Sequence, residues 1–480
     1  MKRILSLLSV LGVTLSMMAA SPKFEKPWQH GKLQVSDNHL YLQHEDGTPF
    51  FWLGETGWLM PEKLDRSEVG NYLTQCALNG YNVVQVQTVN GVPAYNCYGQ
   101  PSMLPNKKGD YFDFTPFDRK AQRTLQNAYT YWDHFDYIFD CAEQRGIYIG
   151  MVCIWGGLVK QGLMNVEQAR QYGRFLAERY GNRPNVVWII GGDQPGDVKP
   201  EVWEALATTL RQYDPNHLVT YHPFGRTCSA TWWNDAEWLD FNMFQSGHRR
   251  YGQRKGDGDT SSTAETEEDN WRYVEAAHQL QNLKPILDAE PSYERIPQGL
   301  HDTTQPQWQA CDCRRYAWWS VLAGSCGHTY GNNALMQFYR PGDGQAYGCT
   351  TPWYEALNDP GFQQMKWVKK LMLMLPYFDR VADQSVLVGE YGKRYERPAA
   401  SRGKDYIVVY NYVGGAMDID LTKISGAEKK AWWYSPVTGE FRYIGQMADS
   451  RSVHFDPQAP YGPGYDQVLV IVDASKDYVK

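Results

Sequence analysis

Eight short apolar runs constrain this chain's fold more than any other sequence feature. They are Phe50–Gly54, Asn82–Gln87, Ile147–Trp155, Val186–Gly192, Leu218–His222, Phe241–Gln245, Pro285–Ala289 and Cys326–Tyr330. Several are apolar throughout rather than alternating, as strands covered on both faces require. Helix-like stretches separate most of them. Ser67 to Leu73 precedes the second run, and Trp132 to Arg145, closed by Gly146, precedes the third. Gln168 to Tyr180, closed by Gly181, precedes the fourth, and Trp308 to Ala323, closed by Gly324, precedes the eighth. Strand–helix alternation sustained in this way predicts an α/β fold, a (β/α)8 barrel. The alternative is an open doubly wound sheet, but no Gly-rich phosphate loop follows the first run.

At 480 residues the chain is too long for one small core. After Asp379 the texture changes to short strand-like runs separated by turn signals: Ser385–Gly389, Tyr406–Tyr412, Met417–Leu421, Ala431–Tyr434, Phe441–Ile444, Val453–Phe455 and Gln467–Val472. They predict a small antiparallel β-sandwich. The expected organisation is a catalytic barrel over 21–380 and a C-terminal sandwich over 381–480. Residues 1–20 read as a signal peptide. Lys2 and Arg3 precede the apolar run Ile4 to Val13, and Met18-Ala19-Ala20 follows, with Met18 larger than usual for its place before a cleavage site. The expectation is a secreted protein, periplasmic or at the cell surface. No other stretch is long and apolar enough to span a bilayer, so no membrane insertion of the mature chain is expected.

The net charge of −7 becomes −9 once Lys2 and Arg3 leave with the signal peptide, and no long basic run is present. Nucleic acid is therefore not an expected partner. An acidic surface would also repel an acidic polysaccharide, so a uronic-acid substrate needs local Arg or Lys. Nine cysteines are scattered, with only Cys311 and Cys313 close together. This spacing does not make a zinc site; disulfides and buried free thiols both fit.

Barrel active sites form at the C-terminal ends of the strands. The first run leads to Glu55, Thr56 and Trp58, the second to Gln87, the third to Trp155 and the fourth to Asp193. The fifth ends at His222, the sixth at Gln245 and the seventh at Glu290; the eighth runs into His328, Tyr330 and Asn332. Acids, amides, imidazoles and indoles converging on one face suit a saccharide, whose hydroxyls need polar partners and whose ring faces need stacking. An aromatic share of 14% fits stacking and core packing alike. Asp193 and Glu290 are the two acids that glycoside hydrolysis needs. Each has a plainer reading. Asp193 could cap a following helix, and Glu290 could pair with Arg295 or Lys284. Asp288 competes with Glu290 from two residues earlier, and Glu55 is a third acid at the mouth, suited to binding a hydroxyl. His222 and His328 fit a sugar site or a satisfied core equally. The segment Arg254 to Asp269 is expected to be an exposed loop beside the cleft. No metal and no cofactor are implied.

Four motifs in order carry a resemblance. They are Phe50 to Trp58, Asn185 to Asp193, Glu290-Pro291-Ser292-Tyr293 and Ala323 to Gly331, with Trp433 to Gly439 as a further match near the C-terminus. Together they make the chain similar to glycoside hydrolase family 140, whose members join a catalytic domain to a domain named for collagen binding. The resemblance implies a barrel plus a sandwich and an apiosidase that cleaves apiose–galacturonic acid linkages in the pectin rhamnogalacturonan II. It implies Asp193 as acid/base and Glu290 as nucleophile of a retaining reaction. Subsite walls are expected from Glu55, Trp58, Gln87, Trp155, His222, Gln245 and His328. Many related barrels end strand four with Asn-Glu, whereas this chain has Gly-Asp, one methylene shorter. The alternatives are another plant-polysaccharide glycosidase, such as an arabinofuranosidase, and a non-catalytic carbohydrate- or collagen-binding adhesin. A poly- or oligosaccharide is the expected partner.

Overall fold

The computed structural model describes residues 23–112, 129–253 and 268–479. The signal-peptide reading of 1–20 and nearly all of the loop Arg254 to Asp269 lie outside the described residues. Eight parallel strands form the barrel: β1 (Trp52–Thr56), β2 (Val83–Gln87), β3 (Tyr148–Val152), β4 (Val186–Gly191), β5 (Val219–His222), β6 (Phe241–Gln245), β7 (Ile286–Asp288) and β8 (Gly327–Tyr330). The sheet closes because β6 pairs with β7, β7 with β8 and β8 with β1. Every residue of these strands is buried, which explains the unbroken apolar runs.

Among the described residues, seven helices of seven or more residues cover the barrel: α1 (Arg66–Leu78), α2 (Tyr131–Gln144), α3 (Val166–Tyr180), α4 (Pro200–Tyr213), α5 (Trp271–Ala277), α6 (Ala310–Leu322) and α7 (Lys366–Met374). The first three start on reciprocal capping boxes, Asp65 with Glu68, Thr130 with Asp133 and Asn165 with Gln168. Each box satisfies two backbone donors that the helix itself leaves unpaired.

Contacts across the lumen fix which side chains face inward. Trp52 on β1 meets Phe241 on β6, ring centroids 5.7 Å apart, although the two strands are not neighbours. Gln85 on β2 donates from Nε2 to the Ala289 carbonyl beyond β7 at 2.9 Å. Alternation then sends Glu55 outward. Register agrees: Glu55 is paired with Tyr330 and His328 with Asp288, while the inward Trp52 donates to Thr329.

Two antiparallel sheets form the C-terminal sandwich. The larger has the order Val381–Ala382, Ala399–Arg402, Tyr406–Asn411, Gln467–Asp473, Glu428–Tyr434 and Phe441–Ala448. The smaller has Leu387–Val388, Met417–Ile419 and Val453–Phe455. Ile407, Val409, Leu469 and Ile471 pack toward the smaller sheet with Met417 and Ile419. The opposite face of the larger sheet packs on α6, where Tyr410 stacks on Trp318 at 5.7 Å and 8°. The strand Ala399–Arg402 has no apolar alternation to announce it. It forms because it pairs with the strongly apolar Tyr406–Asn411.

Candidate active site

Strand β4 ends in an unusual turn. Gly191, Gly192 and Asp193 have φ values of 87°, 98° and 57° in succession. The two glycines are required: a Cβ on Gly191 would lie 2.5 Å from the His222 carbonyl, and one on Gly192 would lie 2.8 Å from the Trp155 ring. Asp is among the few other residues that tolerate the left-handed region. The next helix, α4, begins seven residues later with Lys199 at its cap position, so Asp193 does not cap it. Asp193 is half-buried, and its Oδ1 is enclosed without a hydrogen-bond partner among the described residues.

Glu290 lies two residues beyond β7 and faces the same space. His248 Nε2 is 3.0 Å from its Oε1, and His222 Nε2 is 3.3 Å from its Oε2. Lys284 instead donates to backbone carbonyls, and Arg295 pairs with Asp359, so the ion-pair reading of Glu290 falls to these two imidazoles. One carboxylate oxygen each from Asp193 and Glu290 and one nitrogen of His222 lie within 4.8 Å of one another. Among the described residues this is also the one group of three side chains of metal-ligand type, so the same atoms could hold a cation.

The environment drives the two acids in opposite directions. Burial raises Asp193, the nearby Glu290 charge adds to it, and together they outweigh His222, Gln245 and His248, leaving it at about 7. Burial also acts to raise Glu290, but the hydrogen bonds and charges of His222 and His248 overcome it and hold it at about 2. Burial alone would lower His222, yet Glu290 and Asp193 raise it. One acid is therefore protonated near neutral pH while the other, within 4.8 Å, is ionised.

Trp58, Trp155 and His222 wall the site. The indoles are 5.5 Å apart at 59°, and His222 lies 5.5 Å from Trp58 and 6.4 Å from Trp155. Gln245 at the end of β6 acts on Asp193. Gln87 at the end of β2 donates its backbone N–H to the Trp58 carbonyl and keeps a buried Oε1 that has no partner among the described residues.

Two expected positions, Glu55 and His328, and the competing acid Asp288 lie elsewhere. Glu55 faces outward toward Cys76 and Tyr81, fully buried and without side-chain partners among the described residues, and burial raises its carboxyl well above the usual range. The expectation at the mouth failed because β1 runs to Thr56, so Glu55 is a strand residue on the outer face. His328 shares that face, and burial lowers it to about 3, so its ring is neutral. Asp288 also points outward, accepting from Ser246 Oγ at 2.6 Å and Asn270 Nδ2 at 3.0 Å. It is not on the side of Glu290, as simple alternation would require, because β7 ends at Asp288 and the chain turns before Pro291.

Two aromatic residues and a histidine went unassigned in the sequence. His248 lies three residues past the end of β6. Its only signal was its place on a loop at the functional end of the barrel. Tyr293 sets its ring edge-on to His248, with centroids 4.7 Å apart. Tyr347 comes from a distant segment after β8. Burial raises its hydroxyl, and the Glu290 and Asp193 charges add to the effect.

Residues 36–379 match the family described as Apiosidase-like, catalytic domain, and residues 381–472 match one described as a collagen-binding domain of a collagenase. A crystal structure of a glycoside hydrolase family 5 protein from Bacteroides vulgatus ATCC 8482 is 57% identical, with a TM-score of 0.91, covering 95% of this chain and 97% of that one. A second structure, named a glycoside hydrolase, is 56% identical with the same TM-score, covering 95% of this chain and 100% of the other. The comparison with curated proteins finds no match. No helix among the described residues is long and apolar enough to cross a membrane. The chain belongs to the apiosidase-like family and is a glycoside hydrolase.

Proposed function

We propose that the protein is a secreted, retaining apiosidase that cleaves apiose–galacturonic acid linkages in rhamnogalacturonan II. The observation that carries the reading is the pair Asp193 and Glu290, with carboxylate oxygens within 4.8 Å and opposite protonation. Carboxyl groups in retaining glycosidases stand about 5–5.5 Å apart, and those of inverting enzymes roughly 6.5–9.5 Å. The close approach of the two carboxylates supports direct attack by Glu290 over activation of an intervening water. The sugar itself follows from the family name, and the leader-like residues 1–20 support export.

In the first step Glu290 attacks the anomeric carbon. The bond from that carbon to the leaving oxygen breaks as Asp193 delivers its proton to that oxygen. In the second step Asp193 takes a proton from water, the water oxygen bonds to the anomeric carbon, and the bond to Glu290 breaks. His222 and His248 hold the nucleophile ionised, and Trp58 and Trp155 give the sugar an apolar wall. The C-terminal sandwich serves as a scaffold against α6.

Incubation with rhamnogalacturonan II, followed by NMR of the first-released anomer, tests the reading. Free apiose of retained configuration is expected, with an unchanged rate after dialysis against a chelator. Release of arabinose alone would assign the same machinery to another sugar, and an inverted first product would overturn the role of Glu290.

The pH profile carries a second expectation. Activity needs Asp193 protonated and Glu290 ionised, so the basic limb of kcat/KM should fall near pH 7 and the acidic limb far below it. Replacing His248 with Ala removes one stabiliser of ionised Glu290. The Glu290 carboxyl then titrates higher, and the acidic limb should move toward neutrality with a rate loss on the order of 10–100-fold. An unmoved acidic limb in this variant would sever His248 from the charge of Glu290.

A further inference from the structure

A second cleft lies between the barrel and the C-terminal sandwich, apart from the carboxylate pair. Its volume is about 760 Å³, and its lining joins Asp269, Trp271 and Arg272 at the start of α5 to the segment from Gly389 to Pro398 of the C-terminal region. Four cations line it, Arg272, Lys393, Arg394 and Arg397, against one acid, Asp269. Two of the cations are neutralised: Arg272 Nε is 3.0 Å from Asp269, and Arg397 is 3.6 Å from Glu275. Lys393 and Arg394 are exposed and take no carboxylate partner among the described residues. Of the two acids nearby in sequence, Glu396 is turned to the Tyr461 hydroxyl at 3.2 Å, and Glu390 is exposed outside the lining of the cleft. In a chain of net charge −7, this leaves a local positive excess in a concave site.

The cleft is built. The guanidinium groups of Arg397 and Arg272 lie 3.8 and 4.5 Å from the Trp271 ring, whose buried indole Nε1 has no partner among the described residues. Arg394 is fixed in the left-handed region at φ 58° and lies over the Tyr251 ring at 4.8 Å. Tyr251 is three residues from His248, so the cleft opens beside the loop that carries the Glu290 partner. Cations with an unpaired donor and aromatic edges suit a ligand that is both anionic and hydroxyl-rich.

We infer that this interdomain cleft binds a carboxylate-bearing saccharide chain, holding the acidic backbone of the substrate while the carboxylate pair works on a branch. The inference rests on the reading of the enzyme as a hydrolase of an acidic glycan, and it assigns Lys393 and Arg394 as the residues that recognise uronate carboxylates. It also gives a place to the local cations that an acidic protein needs for such a substrate.

The test is binding of the full chain to unbranched polygalacturonate, which carries no apiose and so does not require the active site. Affinity electrophoresis or calorimetry should show binding to polygalacturonate and none to a neutral galactan. The Lys393→Ala/Arg394→Ala double variant should bind about tenfold or more weakly. Its kcat/KM on a small apioside should stay at the wild-type value. Binding that is unchanged in the double variant, absent in the wild type or equal for neutral galactan would overturn the inference. So would displacement by inorganic phosphate at an ionic strength where chloride has no effect, since that marks a simple anion site. Failure of the apiosidase reading appears separately, as no apiose release by the wild type whatever it binds.

Discussion

Glu290→Gln and Asp193→Asn are each expected to lower turnover on the natural linkage by a factor on the order of 10⁴ or more, the scale on which loss of a nucleophile or its proton partner registers. Both substitutions keep side-chain volume, so the fold should be unchanged; near neutral pH the denaturation midpoint should rise for Asp193→Asn, whose charge the folded site disfavours, and fall for Glu290→Gln, which loses its two imidazole partners. The two variants should differ in their response to the leaving group. A substrate whose leaving group departs without protonation bypasses the acid step, so Asp193→Asn should form the glycosyl-enzyme at near wild-type rate and then stall. Glu290→Gln should stay inactive on both substrates, because no carboxylate remains to bond the anomeric carbon. A burst of leaving group from Asp193→Asn, absent from Glu290→Gln, separates acid from nucleophile. The same burst from both variants, or most of the steady-state activity in either, would sink the assignment. A coupled effect follows from electrostatics. The Glu290 charge helps to raise Asp193, so neutral Gln at 290 should lower the Asp193 carboxyl from about 7.

Most of the barrel is legible in the sequence because strands buried on both faces must be apolar without interruption, and Val186–Gly191 shows this on every residue. The two acids were legible for the same reason: a charge at the end of such a run has no packing role. Which face a side chain takes was not legible. Glu55 and His328 both follow or sit in apolar runs at the functional end. Their direction depends on where a strand starts and ends to within one residue, and the observed β1 begins two residues later than its apolar run. His248 and Tyr347 could not be found because they lie on loops whose path the chain's periodicity does not set. The role of Gly191-Gly192 was not legible either, because a glycine pair at a strand end does not announce which φ it takes. The pair's effect is conformational, since the turn needs positive φ at both positions to aim the carboxylate at Glu290.

Arg315→Met is expected to destabilise the folded chain by about 3–5 kcal/mol, the cost of leaving a buried acid without its partner. Arg315 and Glu268 have no exposed side-chain area and meet at 2.7 Å. The guanidinium is ringed by Tyr316 and Trp319 of α6 at 4.7 and 4.8 Å, and by Tyr395 and Tyr412 of the C-terminal region at 4.9 and 5.1 Å. Glu268 accepts from the Tyr395 hydroxyl at 2.9 Å and from the Tyr251 backbone N–H at 2.7 Å. One ion pair thus joins α6, the segment that carries His248 and the C-terminal sheets. Glu268→Gln added to Arg315→Met should recover part of the loss, because a neutral amide costs less to bury than an unpaired carboxylate. Urea unfolding followed by circular dichroism reads both effects. A loss below about 1 kcal/mol in the single variant would mean that water or a rearranged side chain reaches Glu268. Tyr395 and Tyr412 dock the C-terminal region on this barrel pair, so weakening it should lower the midpoints of both together, and two separated transitions in the wild type would show that the interface does not couple them.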